Sequence, residues 1–313
     1  MRAFRLAIQC TFACIALSRV FLAEKHVVEI TEGDLFLADS TRLHYYVTDA
    51  RRDTILVPLG IILVPELAAL SETHTVLAYD PRGRGRSSAI APADLRRRAF
   101  KSDVADLDTI AKHFKIRRAT ILGWSFYSLV AARYAIEHPT QTRRLILASP
   151  LAPRSTPWSD SMRVRYDARL DSAARRALDS IRVRATDSAS TVEYCRANNA
   201  FHVPANMAGR GLVVAPKVEP CNWPNEWPNK VAQSTGRSAA DLGVYDWRGT
   251  LAALRIPILV IHGDEDAAPI AGTLEWKSAP NAKVVRIPEA AHWTFLEAPD
   301  AFRSAVEWFI GTH

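Results

Sequence analysis

One stretch constrains this chain more than any other: Ala119-Thr120-Ile121-Leu122-Gly123-Trp124-Ser125-Phe126-Tyr127-Ser128-Leu129-Val130-Ala131-Ala132-Arg133-Tyr134-Ala135. It opens as a β-branched and apolar run that suits a buried strand. It continues with Leu129, Ala131, Ala132 and Ala135, which suit a helix. Gly123-Trp124-Ser125 lies between them, so a strand must turn sharply into a helix at a serine. A serine on such a turn is lifted out of the sheet with its hydroxyl exposed, as a nucleophile needs. The full pattern for that turn is G-x-S-x-G, and Tyr127 stands where the second glycine belongs. A bare Gly-x-Ser before a helix also fits a loop whose serine only caps the helix.

Around this stretch, strand-like and helix-like segments alternate. Val27 to Ile30 and Leu43 to Val47 alternate like an N-terminal hairpin, with Gly33-Asp34 and Asp39-Ser40 as turn signals. Thr54 to Val57 is a short apolar strand leading into Pro58-Leu59-Gly60-Ile61. Leu63, Leu67 and Leu70 then share one helical face. Thr75 to Tyr79 forms the next strand, followed by the glycine-rich turn Asp80 to Ser87. That turn has neither a Walker spacing nor G-x-G-x-x-G, so phosphate cradling is rejected. Ser102 to Phe114 reads as a helix with Val104, Leu107, Ile110 and Ala111 inward. Leu145 to Leu147, Ile256 to Ile261 and Val284 to Ile287 are later strands, and Pro299 to Phe309 closes the chain as a helix. This alternation predicts an α/β fold with a mostly parallel central sheet and helices on both faces. Sites in such sheets gather at the carboxyl ends of the strands.

The pattern breaks after Pro150. Residues 158 to 185 are charged and helical in character, and 203 to 230 are rich in proline and asparagine, with Trp223 and Trp227. The expected organisation is a signal peptide over 1–23, a core over 24–150, an inserted, mainly helical lid over 151–245 and the second part of the core over 246–313. In the N-terminal segment Arg2 and Arg5 precede the apolar run Leu6 to Leu17, with small residues at Ala16, Ser18 and Ala23. That run is short for a membrane span, so no stable membrane anchor is expected after its removal. A frayed amphipathic helix is the alternative reading. Cys10 and Cys14 fall in this segment. Cys195 and Cys221 remain as an even pair, which in a secreted or periplasmic chain reads as a disulfide; two free buried cysteines are the alternative.

With 40 Lys and Arg against 33 Asp and Glu, the net charge is +7. No nucleic-acid-binding motif accompanies it, so nucleic acid is not an expected partner. The densest basic run, Arg96-Arg97-Arg98, is expected to be a solvated face.

Taken in order, four motifs resemble the α/β-hydrolase superfamily across Glu24 to His313. They are the Tyr79 to Ser87 turn, the Gly123-Trp124-Ser125 elbow, His262-Gly263-Asp264-Glu265-Asp266 after a strand, and Ala291-His292 after the last strand. Serine, acid, histidine is that superfamily's chain order. The resemblance is nearest to the branch of prolyl iminopeptidases, small esterases and related lidded hydrolases. It implies Ser125 as nucleophile and His292 as base, since histidine titrates near neutrality. A carboxylate must orient the imidazole. Asp266 matches the family's G-x-x-D counted from Gly263, and Asp264 is the second choice, its plain reading being a turn residue. His262 is expected to pack rather than react. The oxyanion hole would take one amide from Phe126. The second would come from Gly60 or Ile61, with Gly60 preferred, because the family's His-Gly is Pro58-Leu59 here and proline has no N–H. Trp124 and Trp223 are the expected substrate-contacting aromatics. No metal or cofactor is called for.

The implied activity is hydrolysis of an ester or similar acyl bond in a small-molecule ester or short peptide. A prolyl iminopeptidase-like aminopeptidase is the alternative, with Glu193, Glu219 and Glu226 available to hold an amine. A binding protein on the same scaffold is a third reading, prompted by Tyr127. The expectation is that the elbow still forms, with Tyr127 buried and Ser128 supplying the small residue.

Overall fold

The computed structural model of the protein describes residues 28–49, 51, 53–208 and 217–313. The signal-peptide segment 1–23, with Cys10 and Cys14, lies outside the described residues. Eight strands form one sheet in the order β1-β2-β4-β3-β5-β6-β7-β8. They are β1 Ile30–Phe36, β2 Arg42–Thr48, β3 Thr54–Pro58, β4 Thr75–Tyr79, β5 Ala119–Trp124, β6 Thr142–Ala148, β7 Ile258–Gly263 and β8 Ala282–Ile287. β2 pairs antiparallel with β1 and with β4, and every pairing from β4 to β8 is parallel. The mostly parallel sheet expected from the alternation is therefore present.

Burial follows from that layout. β5 and β7 are buried along their whole length, because helices cover both faces of the central strands. The edge strand β1 is exposed or half-buried throughout. Helix α1 (Gly60–Glu66) and the 3₁₀ turn Ala68–Glu72 bury Leu63, Leu67 and Leu70. Helix α2 (Phe100–His113) buries Val104, Leu107, Ile110 and Ala111 as its periodicity predicted. Helix α3 (Phe126–Glu137) is buried on almost every side. The closing helix Pro299–Thr312 buries Phe302, Val306, Phe309 and Ile310.

Three local readings are corrected. Gly33-Asp34 is not a turn: β1 runs through it, and the hairpin turns at Leu37 to Thr41, where Asp39 accepts a bond from the Thr41 amide. Gly33 is needed because the Tyr45 ring lies across it, and a Cβ there would come within 2.3 Å of the Tyr45 hydroxyl. The basic run is not uniformly solvated, since Arg98 is buried and ion-paired with Asp103. Finally, between β6 and β7 the chain forms α4 (Trp158–Asp167), α5 (Ser172–Arg184) and a long α6 (Ser188–Asn206). α6 extends through Pro204 into the stretch expected to be irregular. Asp187 starts it with a capping box on Ser190. Cys195, midway along α6, is disulfide-bonded to Cys221, with both residues fully buried. Among the described residues no helix is long and apolar enough to cross a membrane.

Candidate active site

The elbow is formed. Ser125, between β5 and α3, has φ 53° and ψ −126°, a left-handed conformation that costs a non-glycine residue about 1–3 kcal/mol. Its neighbours require that bend. A Cβ on Gly123 would sit 2.5 Å from the Tyr127 carbonyl oxygen and 2.8 Å from the Ser128 Cα, so α3 presses directly onto the strand end. Ser128 is fully buried, and its hydroxyl donates to the Ser125 carbonyl. Tyr127 is accommodated by pointing away from that contact. Its ring packs edge-on to Phe126, and its hydroxyl lies 3.0 Å from Thr235 Oγ1. Burial pushes the Tyr127 phenol up to about 12, so it stays neutral.

Three strand ends converge here. His292, in the loop after β8, has Nε2 2.9 Å from Ser125 Oγ and Nδ1 3.0 Å from Asp266 Oδ2. Asp266 follows β7 and is almost fully buried, and its other oxygen accepts the Ala268 amide at 2.9 Å. Burial alone would raise its pKa. The attraction and hydrogen bond of His292, with the Ala268 amide, outweigh that and leave the carboxyl below its usual range. Asp264 instead turns to the surface and pairs with Arg286 at 2.7 Å. His262 is buried, with Nδ1 3.1 Å from Thr273 Oγ1, and burial lowers its pKa.

The loop after β3 turns through Leu59, whose φ of 75° is left-handed. Of the two amides considered there, Ile61 N–H donates to Asp80 Oδ1 at 2.7 Å. Gly60 N–H opens α1 and has no acceptor within the helix. Phe126 N–H opens α3 in the same way. Asp80 is fully buried and also accepts from Tyr46 and the Arg86 amide, tying this loop to the Arg82 to Ser87 turn. Burial pushes its carboxyl up to about 6 against the pull of those donors.

Ser125 opens into a cavity of about 530 Å³. Leu59, Trp124 and Phe126 line its core side, and Val203, Met207 and Pro220 are among the residues facing them from the chain between β6 and β7. Trp124 also donates its indole N–H to the His292 carbonyl at 3.0 Å, bracing the loop. Trp223 does not line this cavity. The Arg86 guanidinium lies over its ring at 4.5 Å, which holds it against the turn instead. Of the three acids considered for amine binding, Glu193 is exposed and away from the cavity. Glu219 lines it but accepts the Cys221 amide and faces Arg196. Glu226 lines it too, but holds Arg84 through both oxygens and also accepts the Gly85 amide at 2.7 Å.

Several contacts were not visible in the sequence. Arg165 of α4 donates to the Asp266 carbonyl at 3.2 Å, and the Asn206 carbonyl at the end of α6 accepts the His292 amide at 3.0 Å. The helices between β6 and β7 are thus bonded to both loops that carry the acid and the histidine. Among the described residues no cluster of His, Cys, Asp and Glu could hold a metal ion.

A model of the alpha/beta hydrolase fold family matches residues 59–299. A pimeloyl-[acyl-carrier protein] methyl ester esterase of Neisseria meningitidis serogroup A is 28% identical over 252 residues, covering 79% of this chain and 71% of the relative. Among solved structures, a proline iminopeptidase of Mycobacterium smegmatis superposes with TM-score 0.64 at 22% identity, over 90% of this chain and 98% of that one. An esterase from Exiguobacterium antarcticum superposes with TM-score 0.63 at 17% identity, over 88% and 98%.

Proposed function

The chain belongs to the alpha/beta hydrolase fold family, and from that premise we propose that it is an exported serine hydrolase that cleaves an ester or similar acyl bond through an acyl-enzyme on Ser125. The observation that carries this is the unbroken relay from Ser125 Oγ to His292 Nε2 and from His292 Nδ1 to Asp266, at 2.9 and 3.0 Å. His292 takes the Ser125 proton as Oγ attacks the acyl carbon. Asp266, held ionised, accepts the bond from Nδ1–H and stabilises the imidazolium. The oxyanion forms near the Phe126 and Gly60 amides, which offer their N–H groups to it. His292 then returns the proton to the leaving alcohol, and water repeats the sequence on the acyl-enzyme. The helices over 151–245 act as the lid that shapes the acyl site. Export is supported by the disulfide between Cys195 and Cys221 together with the apolar N-terminal run.

The aminopeptidase reading is weaker. Holding a free amine needs a carboxylate with spare acceptors in the cavity, and both Glu219 and Glu226 are already engaged. A panel of short-chain nitrophenyl esters beside proline and alanine arylamides separates the two. Ester turnover with little arylamide cleavage is expected. Preferential cleavage of the proline arylamide would reverse the choice, and no turnover of either, with no labelling of Ser125, would favour a non-catalytic binding protein.

A further inference from the structure

The chemistry above leaves two polar side chains on the cavity wall unused, Asn199 and His202; Asn199 is turned to Cys221, with Nδ2 3.3 Å from its Sγ. His202 lies on α6 and lines the cavity that contains Ser125. Its Nδ1 is 2.9 Å from the Tyr166 hydroxyl of α4, and its Nε2 has no partner among the described residues. The proton positions are assigned from the neighbours. Asn206 Nδ2 must be the amide nitrogen, because it lies 3.0 Å from the His202 carbonyl, which can only accept. The same nitrogen is 3.2 Å from Tyr166 Oη, so that oxygen also accepts. The Tyr166 proton is then free to go to His202 Nδ1, which leaves the ring neutral with its proton on Nε2. Burial, aided by the positive charge of Arg175, holds the imidazole below its usual value, in keeping with a neutral ring.

The rest of the cavity says what such a donor would meet. Its walls are mainly apolar, with Leu59, Ile62, Phe126, Val203, Met207 and Leu296 among them. Its charged residues are compensated: Arg84 and Glu226 neutralise each other, and Glu219 faces Arg196. A charged substrate group would therefore find no opposite charge, whereas an uncharged oxygen would find the His202 N–H.

Building on the hydrolase reading, we infer that His202 is a specificity residue whose Nε2–H binds an uncharged carbonyl or ether oxygen carried by an otherwise apolar ester, and that Tyr166 and Asn206 are positioning residues that hold its tautomer. Paired substrates test this: 4-nitrophenyl pentanoate against 4-oxopentanoate, heptanoate against 6-oxoheptanoate, and butyl acetate against 3-oxobutyl acetate. At least one keto ester should exceed its plain partner in kcat/KM by about two- to thirteenfold, the worth of one neutral hydrogen bond. His202→Phe should abolish that preference while still cleaving the plain esters. Tyr166→Phe, which leaves the cavity surface untouched, should reduce it. Equal rates within every pair, or a preference that survives His202→Phe, would overturn the inference. Hydrolysis of the plain esters reports on the hydrolase reading separately. Independently of turnover, NMR of protein labelled with nitrogen-15 histidine reads the ring itself. A neutral Nε2–H form is expected for His202, with its proton resonance shifted by 2-heptanone in the unmutated protein and in Ser125→Ala alike. A charged ring, an Nδ1–H tautomer or no response to the ketone would refute it.

Discussion

Loss of the Cys195–Cys221 bond should loosen the cavity wall before it unfolds the sheet. The bond spans a sequence separation of 26 and ties α6 to the segment around Glu219 and Pro220, both of which line the cavity. In the chain-entropy model a closed loop of that length is worth about 3.5 kcal/mol. These helices add little buried apolar area: α4 and α5 bury no residue completely, and α6 buries only Cys195 and Ala205. The lost free energy should therefore fall on a local transition rather than on the core. Trp227 reports it, because its indole N–H donates to the Cys221 carbonyl at 3.0 Å. The assay is guanidinium unfolding with and without strong reductant, followed by tryptophan fluorescence and by circular dichroism, with Trp227→Phe to assign the signal. Reduction should bring forward a fluorescence transition that depends on Trp227, by about 3.5 kcal/mol, and should lower kcat/KM for bulky esters more than for acetate. The double variant Cys195→Ala with Cys221→Ala should behave the same way without reductant. Superimposable curves with and without reductant would refute the reasoning, as would two titratable thiols in the denatured, unreduced protein.

Glu226→Gln should destabilise the protein by about 3–5 kcal/mol, because it leaves the buried Arg84 guanidinium without its counter-charge; Arg84→Met with Glu226→Leu should recover much of that loss in the same unfolding assay. Asp80 should give stability a distinctive pH dependence. Its folded value is raised to about 6 from the ordinary 3.8, so its contribution is full below about pH 4, falls as pH rises towards 6 and is constant above. That shift corresponds to about 3 kcal/mol, and the slope should be absent from Asp80→Asn and so appear in the difference between unmutated protein and that variant measured over that window. Asp266→Asn should lower kcat by several orders of magnitude, about 10⁴-fold by analogy with other triads, whereas Asp264→Asn, which removes only the surface pair with Arg286, should change it little.

The sheet and the candidate triad were legible because both are written locally. β5 and β7 are continuous apolar runs, and Ser125, Asp266 and His292 each sit just past a strand in a recognisable order. What failed to show was either context or distance. Gly33-Asp34 carries turn chemistry, yet the crossing Tyr45 ring makes the glycine a strand residue. α6 was hidden because its polar, Asn-rich sequence has no apolar stripe and contains Pro204. Trp223 looked like a cavity wall because large aromatics often are, but its position is set by Arg86, far away in the chain. The pairing of Arg84 with Glu226 spans 142 residues, and the Tyr166–His202 contact joins two helices. No local pattern announces either one.

The central claim is that the strained Ser125 is an activated nucleophile. A fluorophosphonate probe followed by peptide mass spectrometry tests it most directly, since the reagent reacts with a serine only when a base is in place. The account predicts one adduct, on the peptide containing Gly123 to Ser128, lost in Ser125→Ala and strongly slowed in His292→Ala. A folded protein that takes up no label, or takes it up at another serine, would contradict it.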